Sequence, residues 1–437
     1  MTTVATTHSY LAGLLAGRAE LPSSMSSSAL AWLNRLRADA VDRVSALTVP
    51  TTRDEDWRFT DISPLTRISF HPVRSASSLA AADIDSFLLP EAGARLVFVD
   101  GVYAPQLSFN HTGVVVANIG SSLAEHGRAL EPHLGRHAPF DVNVFAALNT
   151  AFLGDGALVM VPGNASVAAP VHLLFIATQP DTVSYPRCLV VGGTGSAVTV
   201  IEDYVALQEG AYFTNAMTEI AAADNATVKH VRVQRENGAA FHIANCAVSL
   251  AHASRYQAVS VSLGARISRY DLNVLQAAEG TECSVDGLAL ITDRQLADTH
   301  SMIDHAHPHG VSRQLHKCIA DGASHAVFNG KIMVRHGAQR TDSSQSSRNL
   351  LLTAKARVDT KPQLEIFADD VKCAHGATVG QLDAEAVFYL RSRGLSELTA
   401  RNLLTYAFGA EIIDRIPVAT LKHTLEQTVL AHTNRPL

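Results

Sequence analysis

The chain has 437 residues, 47% hydrophobic and 17% charged, enough for two or three domains or one large elongated one. Its formal net charge of −6 argues against a nucleic-acid face, which calls for clustered cations. No apolar run approaches the roughly 20 residues that cross a bilayer.

The first 21 residues lack the basic and long apolar regions of a signal peptide. Residues 1–28 are polar and weakly patterned, so poor order is expected there; the serines of residues 23–28 leave a plastid transit peptide open. From residue 28 to 47, Leu30, Leu33, Leu36, Val41, Val44 and Leu47 fall at helical spacing, and Pro50 stops the pattern. Trp57, within Asp54-Glu55-Asp56-Trp57-Arg58-Phe59-Thr60-Asp61, reads as a core anchor. Residues 78–89 form a second helical candidate. Asp100-Gly101 between Leu96–Val99 and Val102–Tyr103 predicts a hairpin. Residues 141–152 make a third helix, with Val144, Phe145, Leu148 and Phe152 on one stripe. Residues 1–155 therefore read as a mostly helical region with a short β hairpin.

From 157 to about 379 strand follows strand, with no convincing long helix. Clear runs are 157–161, 171–176, 198–202, 228–233, 258–263, 284–291, 326–334 and 350–354. This leaves a sandwich, a propeller or a β-solenoid. A propeller would need a blade-length repeat, and a single sandwich needs fewer residues. Next, Leu364, Ile366 and Ala368 alternate with Glu365 and Phe367. Val371, Cys373 and His375 then share one face of a second strand, which Gly376 should end. Beyond Gly380 the composition turns helical. Asp383 can cap a helix to Arg393, with Gly394 suited to its C-terminus. Ser396 can cap a second helix, and Pro417 separates a third over residues 418–432. The resulting division is 156–380 as a β core and 381–437 as a C-terminal helical domain.

Gly192-Gly193-Thr194-Gly195-Ser196 lacks the third glycine and the following helix of a dinucleotide loop, and reads as a turn. No phosphate-binding P-loop is present, so the chain is not expected to hydrolyse ATP itself. His300, His305, His307 and His309 gather within ten residues, as metal ligands or as a polar turn. The five cysteines, Cys188, Cys246, Cys283, Cys318 and Cys373, are odd in number and widely spaced, which suits reduced thiols in a cytoplasmic protein. A thiolate beside an imidazole suits iron or a cluster sulfide, which singles out Cys373 and His375.

The segments Lys361-Pro362-Gln363-Leu364-Glu365-Ile366, Ala368-Asp369-Asp370-Val371-Lys372-Cys373, His375-Gly376-Ala377-Thr378-Val379-Gly380 and Phe388-Tyr389-Leu390-Arg391-Ser392-Arg393-Gly394 closely resemble the SufB/SufD family of iron–sulfur cluster assembly proteins. A fainter likeness extends upstream to about Asp54. The resemblance implies a mainly β fold: a right-handed parallel β-helix flanked by N-terminal and C-terminal helical regions. It implies a non-catalytic scaffold of a SufBCD-type complex. Such a chain pairs with a SufB-like paralogue through the end of the β-helix. It binds a SufC-like ATPase through residues 381–437. It holds no cofactor alone, and meets iron or a nascent cluster only in the complex. In this family the His of the Cys-x-His segment is implicated in iron acquisition, which carries over onto His375 and more weakly onto Cys373. The sequence lacks the sulfur-receiving cysteine and Cys-x-x-Cys of SufB-type chains, which puts it on the SufD side. The resemblance leaves a homodimer open for the isolated chain, and implies a plastid stroma if the source is a plant. The competing reading is a β-helix polysaccharide lyase or hydrolase, with Asp369 and Asp370 as acid and base.

Overall fold

One chain winds back and forth between two parallel sheets. The protein's computed structural model describes residues 2–18, 30–73 and 75–433. The first sheet stacks Ala157–Val161, Arg187–Gly192, Phe213–Ala222, Phe241–Leu250, Ile267–Gln276, Leu296–His305, His325–Val334 and Arg357–Ile366. The second stacks Ala94–Val99, Val171–Ala177, Ala197–Ala206, Thr227–Arg235, Arg255–Ser262, Glu282–Ile291, Val311–Ala320, Asp342–Leu351 and Lys372–Gly380. Register partners lie one coil apart, from 26 residues at Phe241–Ile267 to 32 at His325–Arg357. This is a parallel β-helix of about eight turns with helical regions at both ends. The uneven coil length hides the repeat from the sequence.

Local chemistry explains the winding. Asn164, Asp181, Asn225 and Asp293 take positive φ at corners between strands, a conformation that short polar side chains tolerate. At Gly264 a Cβ would meet the Glu236 carbonyl oxygen at 1.9 Å, so only glycine lets the neighbouring coil approach. Inside, apolar residues such as Val159, Val190, Ile220 and Val248 stack over one another. The C-terminal coils are different: Ser343, Gln345, Ser347 and Asn349 are all buried.

The hairpin forms as expected, with Val99 opposite Val102 and Asp100 and Gly101 at positive φ. Its first strand also pairs in parallel with Val171–Ala177. Several elements differ from the sequence reading. The Ser-rich stretch of residues 23–28 lies outside the described residues. Within residues 1–28, however, Thr2–Ala16 is a helix, α1, whose Leu11 and Leu14 join a core with Phe70 and Phe145. The second helix is Ala31–Ala46, α2. Residues 78–89 hold only the 3-10 segment Ala81–Phe87. Ile119–Leu130, α3, was not anticipated, whereas Val144–Ala151, α4, was. The strand expected at 350–354 is instead Asp342–Leu351.

Beyond the coils come Ala384–Ser392 (α5), Glu397–Ile413 (α6) and Ala419–Thr433 (α7). Asp383 accepts the Glu385 N–H at 2.9 Å, and Ser396 accepts that of Thr399 at 3.1 Å. α6 and α7 bury Ile412, Ile413, Leu421, Leu425 and Val429 against Val231, Val259 and Leu288 of the second sheet. α5 buries no side chain.

Candidate functional site

Lys372–Gly380 is the last strand of the second sheet, and Arg357–Ile366 is the last of the first. Together they make the open end of the solenoid. Gly376 does not end the strand as expected; pairing runs on to Gly380, opposite Leu350. The Lys372 amide bonds the Thr341 carbonyl at 2.8 Å. Alternation along a parallel ladder then turns the amides of Cys373, His375, Ala377 and Val379 outward, away from Asp342–Leu351.

Cys373 and His375 lie opposite Ser343 and Gln345, so they stand over the buried polar file of the preceding strand. Cys373 is half-buried and His375 is exposed, because no coil covers them. Ser312 and Ser343 continue the file inward, their hydroxyls 2.6 Å apart, and His305 reaches Ser312 at 2.9 Å. Partial burial pushes the Cys373 thiol up, and the Ser343 N–H pulls it down. Burial pushes Cys188 well up and Cys283 and Cys318 to about 12. Those three thiols stay protonated at physiological pH, and Cys246 is also buried. Cys373 is therefore the one cysteine that solvent or a partner can reach.

The other candidates separate. His300 sits 3.1 Å from Asp298 and 3.3 Å from Arg269. His305 is buried, and that burial lowers it to about 4. His307 is exposed, and His309 occupies a positive-φ turn 3.7 Å from Glu279. These four imidazoles have different partners and do not form one ligand set. Asp369 and Asp370 lie in an exposed bend, with Asp370 3.8 Å from Arg340, so the two do not flank a cleft as acid and base. Gly193–Ser196 is a turn after the strand Arg187–Gly192, with Gly195 at φ +67°. Trp57 is buried against Phe145, with Arg269 3.9 Å above its ring. Thr60 and Arg269 both bond Asp298, at 2.6 Å each, which straps this segment to the solenoid.

The sequence reading missed a charged interior. Glu202 accepts from Thr218 at 2.7 Å and from Tyr204 at 2.8 Å, and meets His230 at 3.0 Å. Burial alone would raise Glu202; the His230 charge and these hydrogen bonds outweigh it and hold the carboxyl at about 2. Burial alone would lower His230; Glu202 holds it at about 10. The signal was present as Glu202 in the apolar run Val198-Thr199-Val200-Ile201.

Among the described residues, no group of three or more His, Cys, Asp or Glu side chains is gathered to hold a metal ion. Among the same residues, no helix is long and apolar enough to cross a membrane. Two family models match the chain: "SUF system FeS cluster assembly, SufBD core domain" over residues 175–408, and "SufBD protein N-terminal region" over 18–173. An iron–sulfur cluster assembly SufBD family protein of Synechocystis is 43% identical over 411 residues, covering 91% of this chain and 90% of its own. The iron–sulfur cluster assembly protein SufD of Escherichia coli is 33% identical over 394 residues, 89% of each chain. "Protein ABCI7, chloroplastic" of Arabidopsis thaliana is 31% identical over 407 residues, 90% of this chain and 85% of its own.

Proposed function

The chain belongs to the SufBD family of iron–sulfur cluster assembly proteins, and from that premise we propose that it is a scaffold subunit whose open solenoid end pairs with a SufB-type paralogue. The observation that carries this reading is the uncapped final coil. Its outward amides are unpaired, and unpaired edges invite another chain's strand. Exposed Ile366, Phe367 and Val379 border that edge. A second solenoid continuing the ladder would bury Cys373 and His375 in a shared interior. Iron or a nascent cluster is the cargo, not a resident cofactor. The Cys373 thiolate and His375 imidazole would supply two donors, and the paired chain the rest. The chain itself performs no catalytic reaction in this account. Its unpaired thiols suit a reducing compartment, the cytoplasm or a plastid stroma.

Ala377→Pro removes an outward amide without touching the ladder to Asp342–Leu351, and proline is tolerated on sheet edges. Co-purification with the SufB-type partner is expected to be lost while the chain stays folded. Undiminished co-purification would place the contact elsewhere.

The ATPase partner, of SufC type, is assigned to the C-terminal helices. α6 and α7 dock Ile412, Ile413, Leu421, Leu425 and Val429 on the solenoid, whereas α5 leaves Phe388 72% and Tyr389 56% exposed, beside the exposed Leu398 and Leu403 of α6. Phe388→Asp is expected to abolish ATPase capture in a pull-down while leaving thermal stability unchanged. Deleting everything after Gly380 is a poorer test, because it would uncover Val231, Val259 and Leu288.

A further inference from the structure

Far from the open end, the segment after α3 folds back on itself and brings two histidines together. The His133 Nδ1 and His137 Nε2 atoms lie 3.3 Å apart, with ring centroids at 5.6 Å. That is a long hydrogen bond between ring nitrogens, past the ~2.7–3.2 Å usual for N–H donors. It also fits another geometry. Two imidazole nitrogens bound at about 2.0–2.1 Å to one tetrahedral metal stand roughly 3.3–3.4 Å apart. At right angles, as in octahedral or square sites, the same bonds would set them at about 2.9 Å. We propose that His133 and His137 form two corners of a tetrahedral site for a divalent metal of the zinc class.

The loop that carries them is already fixed. The buried Glu219 carboxylate accepts the backbone N–H of Gly135 at 2.8 Å, of His137 at 2.9 Å and of Ala138 at 3.3 Å. The His133 N–H bonds the Leu130 carbonyl at 3.0 Å. Gly135 turns the chain at φ +74°, with Leu36 packed where a side chain would go. Ordering such a loop costs nothing further when the ion arrives, which is what preorganisation contributes to affinity. No third His, Cys, Asp or Glu joins them among the described residues. The remaining two corners fall to water or an incoming ligand, which makes the site exchangeable rather than structural.

The site is independent of Cys373 and His375, and its test removes them. The full chain carrying Cys373→Ala and His375→Ala is titrated with Co2+, then with Zn2+. The intense visible bands of tetrahedral cobalt are expected, displaced by zinc. His133→Ala and His137→Gln should each abolish those bands and weaken zinc binding by about tenfold or more. His137→Gln keeps the ring's bulk and polarity approximately, so it decides the matter if His133→Ala unfolds. Circular dichroism checks the fold of each. Cobalt bands of equal intensity in His137→Gln, or only the pale octahedral spectrum in the parent, would overturn the proposal.

Discussion

Arg187→Ala is expected to cost the fold about 3–5 kcal/mol, the scale of breaking a buried ion pair from one side. Arg187 is fully buried and ion-paired with the equally buried Glu219. It also donates to Asn149 at 3.1 Å and to Thr150 at 3.3 Å, both on α4. Asn149 in turn bonds the Pro186 and Asn215 carbonyls at 2.9 and 2.8 Å. One guanidinium thus ties α4 to two solenoid coils and neutralises the carboxylate that orders residues 135–138. Without it Glu219 is a buried charge facing only backbone amides. Chemical denaturation of the purified chain measures the loss. Replacing both partners, Arg187→Met with Glu219→Gln, should recover part of it, because no uncompensated charge then remains. A single-variant cost under about 1 kcal/mol would mean that solvent reaches Glu219.

His375→Ala is expected to lower iron loading of the assembled complex by about tenfold or more, the scale seen even for outer-shell ligand loss. The chain's own stability should move by less than about 0.5 kcal/mol, the usual range at exposed positions. The reason is geometric. His375 lies over Gln345 on an uncovered strand, and its ring is exposed. A histidine that only supported the fold would behave the other way, with lower stability and unchanged iron. Iron content and thermal midpoint of the co-expressed complex separate the two outcomes.

Much of the skeleton was legible because local chemistry dictates it. Asp100-Gly101 made its turn, Asp383 and Ser396 capped their helices, and Ala157–Val161 has the expected bounds. Cys373 and His375 share a strand face, as period-two spacing requires. The misses have a common physical cause. Period-two alternation assumes an apolar inside and a polar outside. All ten residues of Phe213–Ala222 are buried, which erases the alternation on that strand. In Asp342–Leu351 the inside is itself polar, because Gln345 bonds Gln314 at 2.7 Å on the next coil and Ser343 bonds Ser312. Stacking in register satisfies such groups, so serine and glutamine take inward positions that simple alternation would give to apolar residues. Helix α1 was missed because its polar residues carry the weak pattern of a loop, while Leu11 and Leu14 dock it with Tyr10 and Leu15 packed beside them. The exposure of His375 had no local signal at all; it depends on where the winding stops.

In the proposed complex another solenoid continues this one at Lys372–Gly380. Amide hydrogen exchange of that strand, alone and in complex with the SufB-type partner, tests it most directly. The outward amides of Cys373, His375, Ala377 and Val379 should exchange freely in the isolated chain and become protected in the complex. Exchange at those four amides that is the same in both states would contradict it.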